Sequence, residues 1–251
     1  MELFLAADTP HLSQAMAATC RIAHMSYRPG PEGQLLTTPL PPKLRGGLMM
    51  LSDGDGPWPK NTEMLLHAIR QECLQRHFSG VVLDVGPDTP GAFAASLEKT
   101  LSACGRQLYL PQELAGHTQN GIALVCTALS GGSLRELLAE AVQRWGAGRV
   151  ALDLQRLRMD FPLPCPSGEG IRLSREELAI RMQGRSVFYA EDLCARYFTY
   201  RRGGQTHFVL FDDAGTLRRK IEMGQALGIR EGFVMLPEVE DLTGSLFTGE
   251  G

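Results

Sequence analysis

Eight short, near-continuously apolar runs punctuate the chain: Glu2–Ala7, Arg21–Ser26, Gly47–Ser52, Val81–Val85, Gln107–Pro111, Ile122–Leu129, Arg149–Leu154 and Gly232–Leu236. Strands that read this way, without alternation of apolar and polar residues, are covered on both faces, as in a parallel sheet wrapped by helices. Amphipathic segments lie between them. Asn61–Arg76 opens on Asn61 as a cap, with Glu63 in the first turn. Pro90–Ala103 puts Phe93, Leu97 and Leu101 on one face by four-residue spacing. Ser133–Trp145 has a capping serine followed by Leu134, Leu137, Leu138 and Val142. Thr216–Leu227 precedes the last run. Eight such runs in 251 residues predict an α/β fold, a (β/α)8 TIM barrel, with an open doubly wound sheet as the alternative.

Three segments break the alternation. Asp160–Gly170 and Pro29–Leu44 are rich in proline and glycine and read as loops. Tyr197–Tyr200 and His207–Phe211 flank Arg-Arg-Gly-Gly204, which predicts a β-hairpin insertion at approximately 186–211, ahead of the final strand. Periodic segments on both sides of every loop are needed to finish one barrel, so residues 1–251 read as a single domain.

Bulk properties exclude several roles. At 43% hydrophobic residues the chain can bury a sizeable core, and a net charge of −3, dispersed along the sequence, offers no polybasic surface for nucleic acid. No apolar run approaches the ~20 residues that span a bilayer, so no membrane partner is expected. The opening Met-Glu-Leu-Phe-Leu-Ala-Ala-Asp8 has an acid at position 2 and does not read as a secretory signal, which points to a cytoplasmic location. Cys20, Cys73, Cys104, Cys126, Cys165 and Cys194 form no CxxC or Cys/His cluster and read as free, mostly buried thiols. No metal or cofactor is implied. Asp53-Gly-Asp55-Gly is a fragment of a calcium loop whose remainder is missing.

Candidate site residues follow from position. Phe78-Ser-Gly-Val-Val-Leu-Asp-Val-Gly86 reads as a buried strand ending in Asp84 at the functional rim of a barrel. Asp84 is either a ligand-orienting carboxylate or a structural aspartate satisfied by nearby polar groups. Other acids at strand ends are Glu113, which otherwise reads as a solvated loop residue, Asp153, Glu238, placed where a rim residue projects to contact a ligand, and Glu240. Asp53 and Asp55 lie in a turn followed by Trp58, an aromatic beside acids that suits carbohydrate contact; the alternative is an Asx-rich turn with a packed tryptophan. His207 reads as a packed or hydrogen-bonded sheet residue rather than a metal ligand.

Two stretches together resemble glycoside hydrolase family 18, the chitinase-like TIM barrels, and within it the branch of bacterial spore-cortex and cell-wall N-acetylglucosaminidases. One is Phe78–Gly86 followed by Phe93, Leu97, Leu101 and Gly105-Arg-Gln-Leu-Tyr-Leu-Pro111, similar to the family's DxxDxDxE strand, helix and proline-ended strand. The other runs from Tyr197-Phe-Thr-Tyr200 through His207-Phe-Val-Leu-Phe-Asp-Asp213, Leu217 and Lys220 to Gly228-Ile-Arg-Glu-Gly-Phe-Val-Met-Leu236. The resemblance implies a TIM barrel acting on glycans that contain N-acetylglucosamine, such as peptidoglycan or chitin oligomers. It also implies that Asp212-Asp213 cap a helix and pin a loop.

The departures from that family are specific. Its four motif acids fall on Ser79, Val82, Asp84 and Gly86, so glycine stands at the position of the general acid. The Tyr and Asp that hold the reacting N-acetyl group correspond to Ala128 and Leu129, and the tryptophan under the sugar to Met235 or Leu236. A positioned acid contributes on the order of 100- to 10,000-fold to such a reaction, and glycine cannot supply the proton. The resemblance therefore implies a catalytically impaired barrel that binds glycan. An active hydrolase using a displaced acid (Glu113, Asp153, Glu238 or Glu240) and a barrel serving only to dock a protein partner in spore or envelope assembly are the alternatives. The latter context makes the spore interior a second possible location.

Overall fold

The structure, a computed structural model, describes residues 1–18, 20–53 and 58–247. Its strands, in chain order, are β1 (Glu2–Ala7), β2 (Arg21–Pro29), β3 (Leu35–Thr37), β4 (Leu48–Ser52), β5 (Gly80–Asp84), β6 (Gln107–Pro111), β7 (Ile122–Cys126) and β8 (Val150–Asp153). Five more follow, β9 (Arg158–Leu163), β10 (Ile171–Arg172), β11 (Phe188–Ala190), β12 (Ala195–Arg202) and β13 (Gln205–Phe211), and then β14 (Glu231–Met235). Strand β14 lies between β8 and β1, and β1 also pairs with β2, so eight parallel strands close into a barrel. Each of the eight coincides with one of the apolar runs. Strand β3 is clipped antiparallel onto β2, inside the segment that reads as a loop.

The helices are α1 (Leu12–Ala17), α2 (Glu63–Gln75), α3 (Gly91–Ser102), α4 (Gln112–Ala115), α5 (Leu134–Trp145), α6 (Arg175–Met182), α7 (Ala214–Ala226), α8 (Leu236–Val239) and α9 (Thr243–Phe247), of which α6 belongs to the insertion. Ser133 caps α5 by accepting from the Glu136 amide. For α2 the cap shifts: Thr62 is the N-cap residue, and Asn61 instead accepts from the Glu63 amide at 3.1 Å.

Period-two alternation sorts the strand residues. Phe4, Ala6, Leu48, Met50, Val82, Tyr109, Ala151 and Phe233 face the barrel interior, and Phe4 stacks on Phe233 at 4.8 Å. Leu5, Met49, Leu51, Val81, Leu83 and Leu152 face outward and pack under the helices. The interior is therefore a filled core, with a cavity at the end where the strands terminate.

The insertion is larger than a hairpin. Strands β9 to β13 form one antiparallel sheet in the order β10-β9-β13-β12-β11, so the chain leaves the barrel at Arg158 and returns at Phe211, with α6 packed on the sheet. The expected hairpin at approximately 186–211 is its second half. Asp160–Gly170 begins as strand rather than loop: Pro162 pairs with His207 on one side, and the partner on the other side stops at Asp160. The missing proline N–H therefore leaves no ladder bond unmade, as at a sheet edge.

Candidate active-site cleft

The barrel mouth is built by the last inward-facing residue of several strands. On β5 the alternation that turns Val82 inward brings Asp84 to the rim, and on β8 Ala151 is followed in the same way by Asp153. Ser52, at the end of β4, donates to Asp84 Oδ2 at 3.4 Å. Met50, Val82, Leu124, Phe233 and Met235 make an apolar floor under Asp84 and Asp153, with Glu238, Gln155 and Arg172 around the opening, enclosing a cavity of about 180 Å³. Gln155 Nε2 donates to Asp153 Oδ2 at 2.7 Å.

Enclosure by protein raises the pKa of both aspartates. For Asp153 burial is the dominant cause, opposed by the Gln155 hydrogen bond and reinforced by the charges of Asp84 and Glu238, and the carboxyl is pushed up to about 6. Asp84 moves the same way, first by burial, with its Ser52 hydrogen bond opposing and the charges of Asp53 and Glu238 adding. The thiol of Cys126, beside Asp153, is pushed up to about 11, chiefly by burial.

The other candidate acids differ in place. Glu238 stands at the opening but is engaged: it is ion-paired with Arg172 and accepts from the Arg156 amide at 3.1 Å. Glu240 pairs with Arg175 at 3.4 Å, away from the mouth. Glu113 is exposed on α4 and does not line the cavity. Asp53 accepts from the Gly86 amide at 2.7 Å, tying the β4 loop to the β5 loop. Asp55 lies outside the described residues. Trp58 packs edge-on against Phe93 of α3 with ring centroids 4.9 Å apart, its ring nitrogen enclosed, and is not among the residues lining the mouth.

The four motif positions run the length of one strand. Ser79 sits at the opposite end of the barrel, accepting from Arg21 and donating to the Gly47 carbonyl. Val82 is interior, Asp84 is at the mouth, and Gly86 lies just beyond it. Gly86 does not have a left-handed backbone, and a Cβ built there would meet only Asp53 Oδ2, at 3.2 Å. Nothing in the backbone demands glycine. Gly86→Ala is therefore expected to leave the melting temperature unchanged or slightly higher, by no more than about 1 kcal/mol in stability. A clear destabilisation by thermal melting would show that Asp53 cannot yield. Of the two candidates for the floor beneath a sugar, Met235 lines the mouth and Leu236 is fully buried. Ala128 lines an adjoining cavity, and Leu129 packs into the outer core.

That second cavity, about 420 Å³, lies between the barrel rim and the inserted sheet and shares Gln155, Arg172 and Glu238 with the mouth. Its wall includes Met159 and Phe161 of β9. Phe208 is opposite Phe161 across the sheet, and Tyr197 and Phe188 continue the aromatic row at 5.2 and 5.5 Å between ring centroids. Sequence reading missed Gln155, Arg172 and Arg158. They come from or border the insertion, whose docking against the rim has no periodic signal. Met50 and Ser52 were open to it through the alternation of β4.

The insertion is locked in place by two buried polar clusters. Asp160 accepts from Tyr200 Oη at 2.5 Å and bonds His207 Nδ1 at 2.9 Å, with Arg181 at 3.5 Å, so His207 is a sheet residue. Asp212 pairs with Lys220 at 2.8 Å and accepts from the Leu157 amide and Thr216, and Asp213 caps α7 through the Thr216 amide. All six cysteines are free, and no group of His, Cys, Asp or Glu among the described residues is arranged to hold a metal. No helix among them is long and apolar enough to cross a membrane.

This barrel, with a sheet inserted before its last strand, has the fold of the chitinase-like glycoside hydrolases. A chitinase from Chromobacterium violaceum superposes with a TM-score of 0.73 at 15% identity, over 98% of this chain and 96% of that one. The spore cortex-lytic enzyme SleL of Bacillus megaterium gives 0.68 at 19% identity, over 98% and 74%. A family 18 chitinase of Cycas revoluta, solved in complex with (GlcNAc)3, gives 0.64 at 11% identity, over 98% and 97%. No protein-family model and no curated protein matches the chain by sequence.

Proposed function

We propose that this protein binds glycans containing N-acetylglucosamine in the barrel mouth and has lost the hydrolysis that its fold supports elsewhere. The observation that carries the reading is Gly86. The position two residues beyond Asp84, where the resemblance places the proton donor, has no side chain, and its amide is held by Asp53. The floor and walls still suit a sugar: apolar side chains beneath, a few polar groups at the opening, and an aromatic row on the facing sheet. The structural neighbour solved with (GlcNAc)3 supports the choice of ligand.

A second reading rests on Asp153. A carboxyl pushed up to about 6, sharing a cavity with Asp84, is the kind of unequal acid pair that glycosidases use. Chitotriose separates the readings. The expected result is a concentration-dependent rise in melting temperature with no product by chromatography. Product formation that Asp153→Asn abolishes would establish the hydrolase instead. Neither turnover nor a thermal shift would leave the barrel as a docking surface for a protein partner.

A further inference from the structure

Among the described residues, Asp160, Asp212 and Lys220 are buried charges with bonded partners, whereas Arg158 is a buried charge without one. Arg158 begins β9, is 9% exposed, and lines the 420 Å³ cavity beside the mouth. Its Nε is closed off from solvent without a hydrogen-bond partner. The charges around it are mostly of its own sign: Arg156, Arg172 and Arg175. Glu238, the acid whose field it feels, is already bound to Arg172 and the Arg156 amide. Arg156 and Arg175 are themselves paired with Asp241. Glu169 lines the same cavity but is exposed, as is Glu176 on α6. The two Nη atoms of Arg158 are not enclosed and bond no carboxylate, and a guanidinium lining a cavity in this way presents donors that fit a planar oxyanion.

We propose that Arg158 is the centre of a subsite for a carboxylate carried on the glycan, one sugar away from the ring in the mouth. The proposal rests on the glycan-binding reading and deepens it. The two cavities share Gln155, Arg172 and Glu238, so a chain entering the mouth continues past Arg158. An N-acetylated sugar bearing an ether-linked lactate has the required chemistry, and a free small oxyanion is the competing source. The test is calorimetric titration with four probes: the β-1,4 disaccharide of N-acetylglucosamine and N-acetylmuramic acid, its methyl ester, chitobiose, and inorganic phosphate.

The acidic disaccharide is expected to bind about tenfold or more tightly than its ester, with the difference shrinking at high salt. Arg158→Met is expected to remove that preference with little change in melting temperature, since no ion pair or hydrogen bond to the protein is lost with the guanidinium. Acid and ester binding equally overturns the subsite and leaves glycan binding intact. Phosphate binding that depends on Arg158, without any saccharide binding, overturns both in favour of a free anion. Should Arg158→Met fail to fold, the wild-type acid-to-ester ratio and its salt dependence still decide between these outcomes, with Arg158→Lys as the second variant.

Discussion

Lys220→Met is expected to lower stability by about 3–5 kcal/mol, because it leaves the Asp212 carboxylate buried without its counter-charge. Both side chains are wholly enclosed, with Nζ and Oδ2 2.8 Å apart. Asp212 also accepts from the Leu157 amide at 2.9 Å and from Thr216 Oγ1 at 2.7 Å. It therefore joins three pieces of chain: the entry to the inserted sheet, the exit from it, and α7. Denaturant unfolding monitored by circular dichroism reads the loss. The double variant Asp212→Asn with Lys220→Met is expected to recover part of it, since neutralising both members removes the stranded charge. A loss below about 1 kcal/mol for Lys220→Met would mean that water or another cation reaches Asp212.

Asp153→Asn is expected to do the opposite near neutral pH and stabilise the protein, by an upper bound of roughly 3 kcal/mol at ~1.4 kcal/mol per pKa unit. The folded-state pKa of Asp153, about 6, lies above the ordinary value of 3.8. Between those two values the native state holds a proton that the unfolded chain has released. Stability therefore falls as pH rises through this window, and the destabilisation is complete above about 6. The amide carries no charge at any of these pH values, and Gln155 still has an oxygen to donate to. The check is the stability difference between variant and wild type from pH 4 to 8. It should grow from near zero at the acid end to its full value above about 6; a difference independent of pH would show that the side chain ionises normally.

The barrel was legible because closure of eight parallel strands under helices forces a composition: both faces buried, hence runs such as Ile122–Cys126 with no alternation. The inserted sheet was only half legible. Its β12–β13 hairpin announces itself by alternation around Gly203-Gly204, whereas β9 is masked by Pro162 and Pro164 and by pairing with a strand more than forty residues away. Trp58 shows the limit of reading function from residue type. An aromatic beside acids suits a sugar, but Trp58 is instead packed edge-on with Phe93 of α3, with its ring nitrogen enclosed.

The sequence alone determined the layers of this protein and the glycine two residues beyond Asp84, since both depend on residue type at fixed spacing along single strands. Which carboxylates share a cavity was decided only by tertiary structure. Asp84, Asp153 and Glu238 come from β5, β8 and the short helix α8 after β14, and their spacing in the chain says nothing about the ring that strand closure makes of them. The same holds for Arg158, which reaches the second cavity without a bonded carboxylate only because the inserted sheet folds back on the barrel rim.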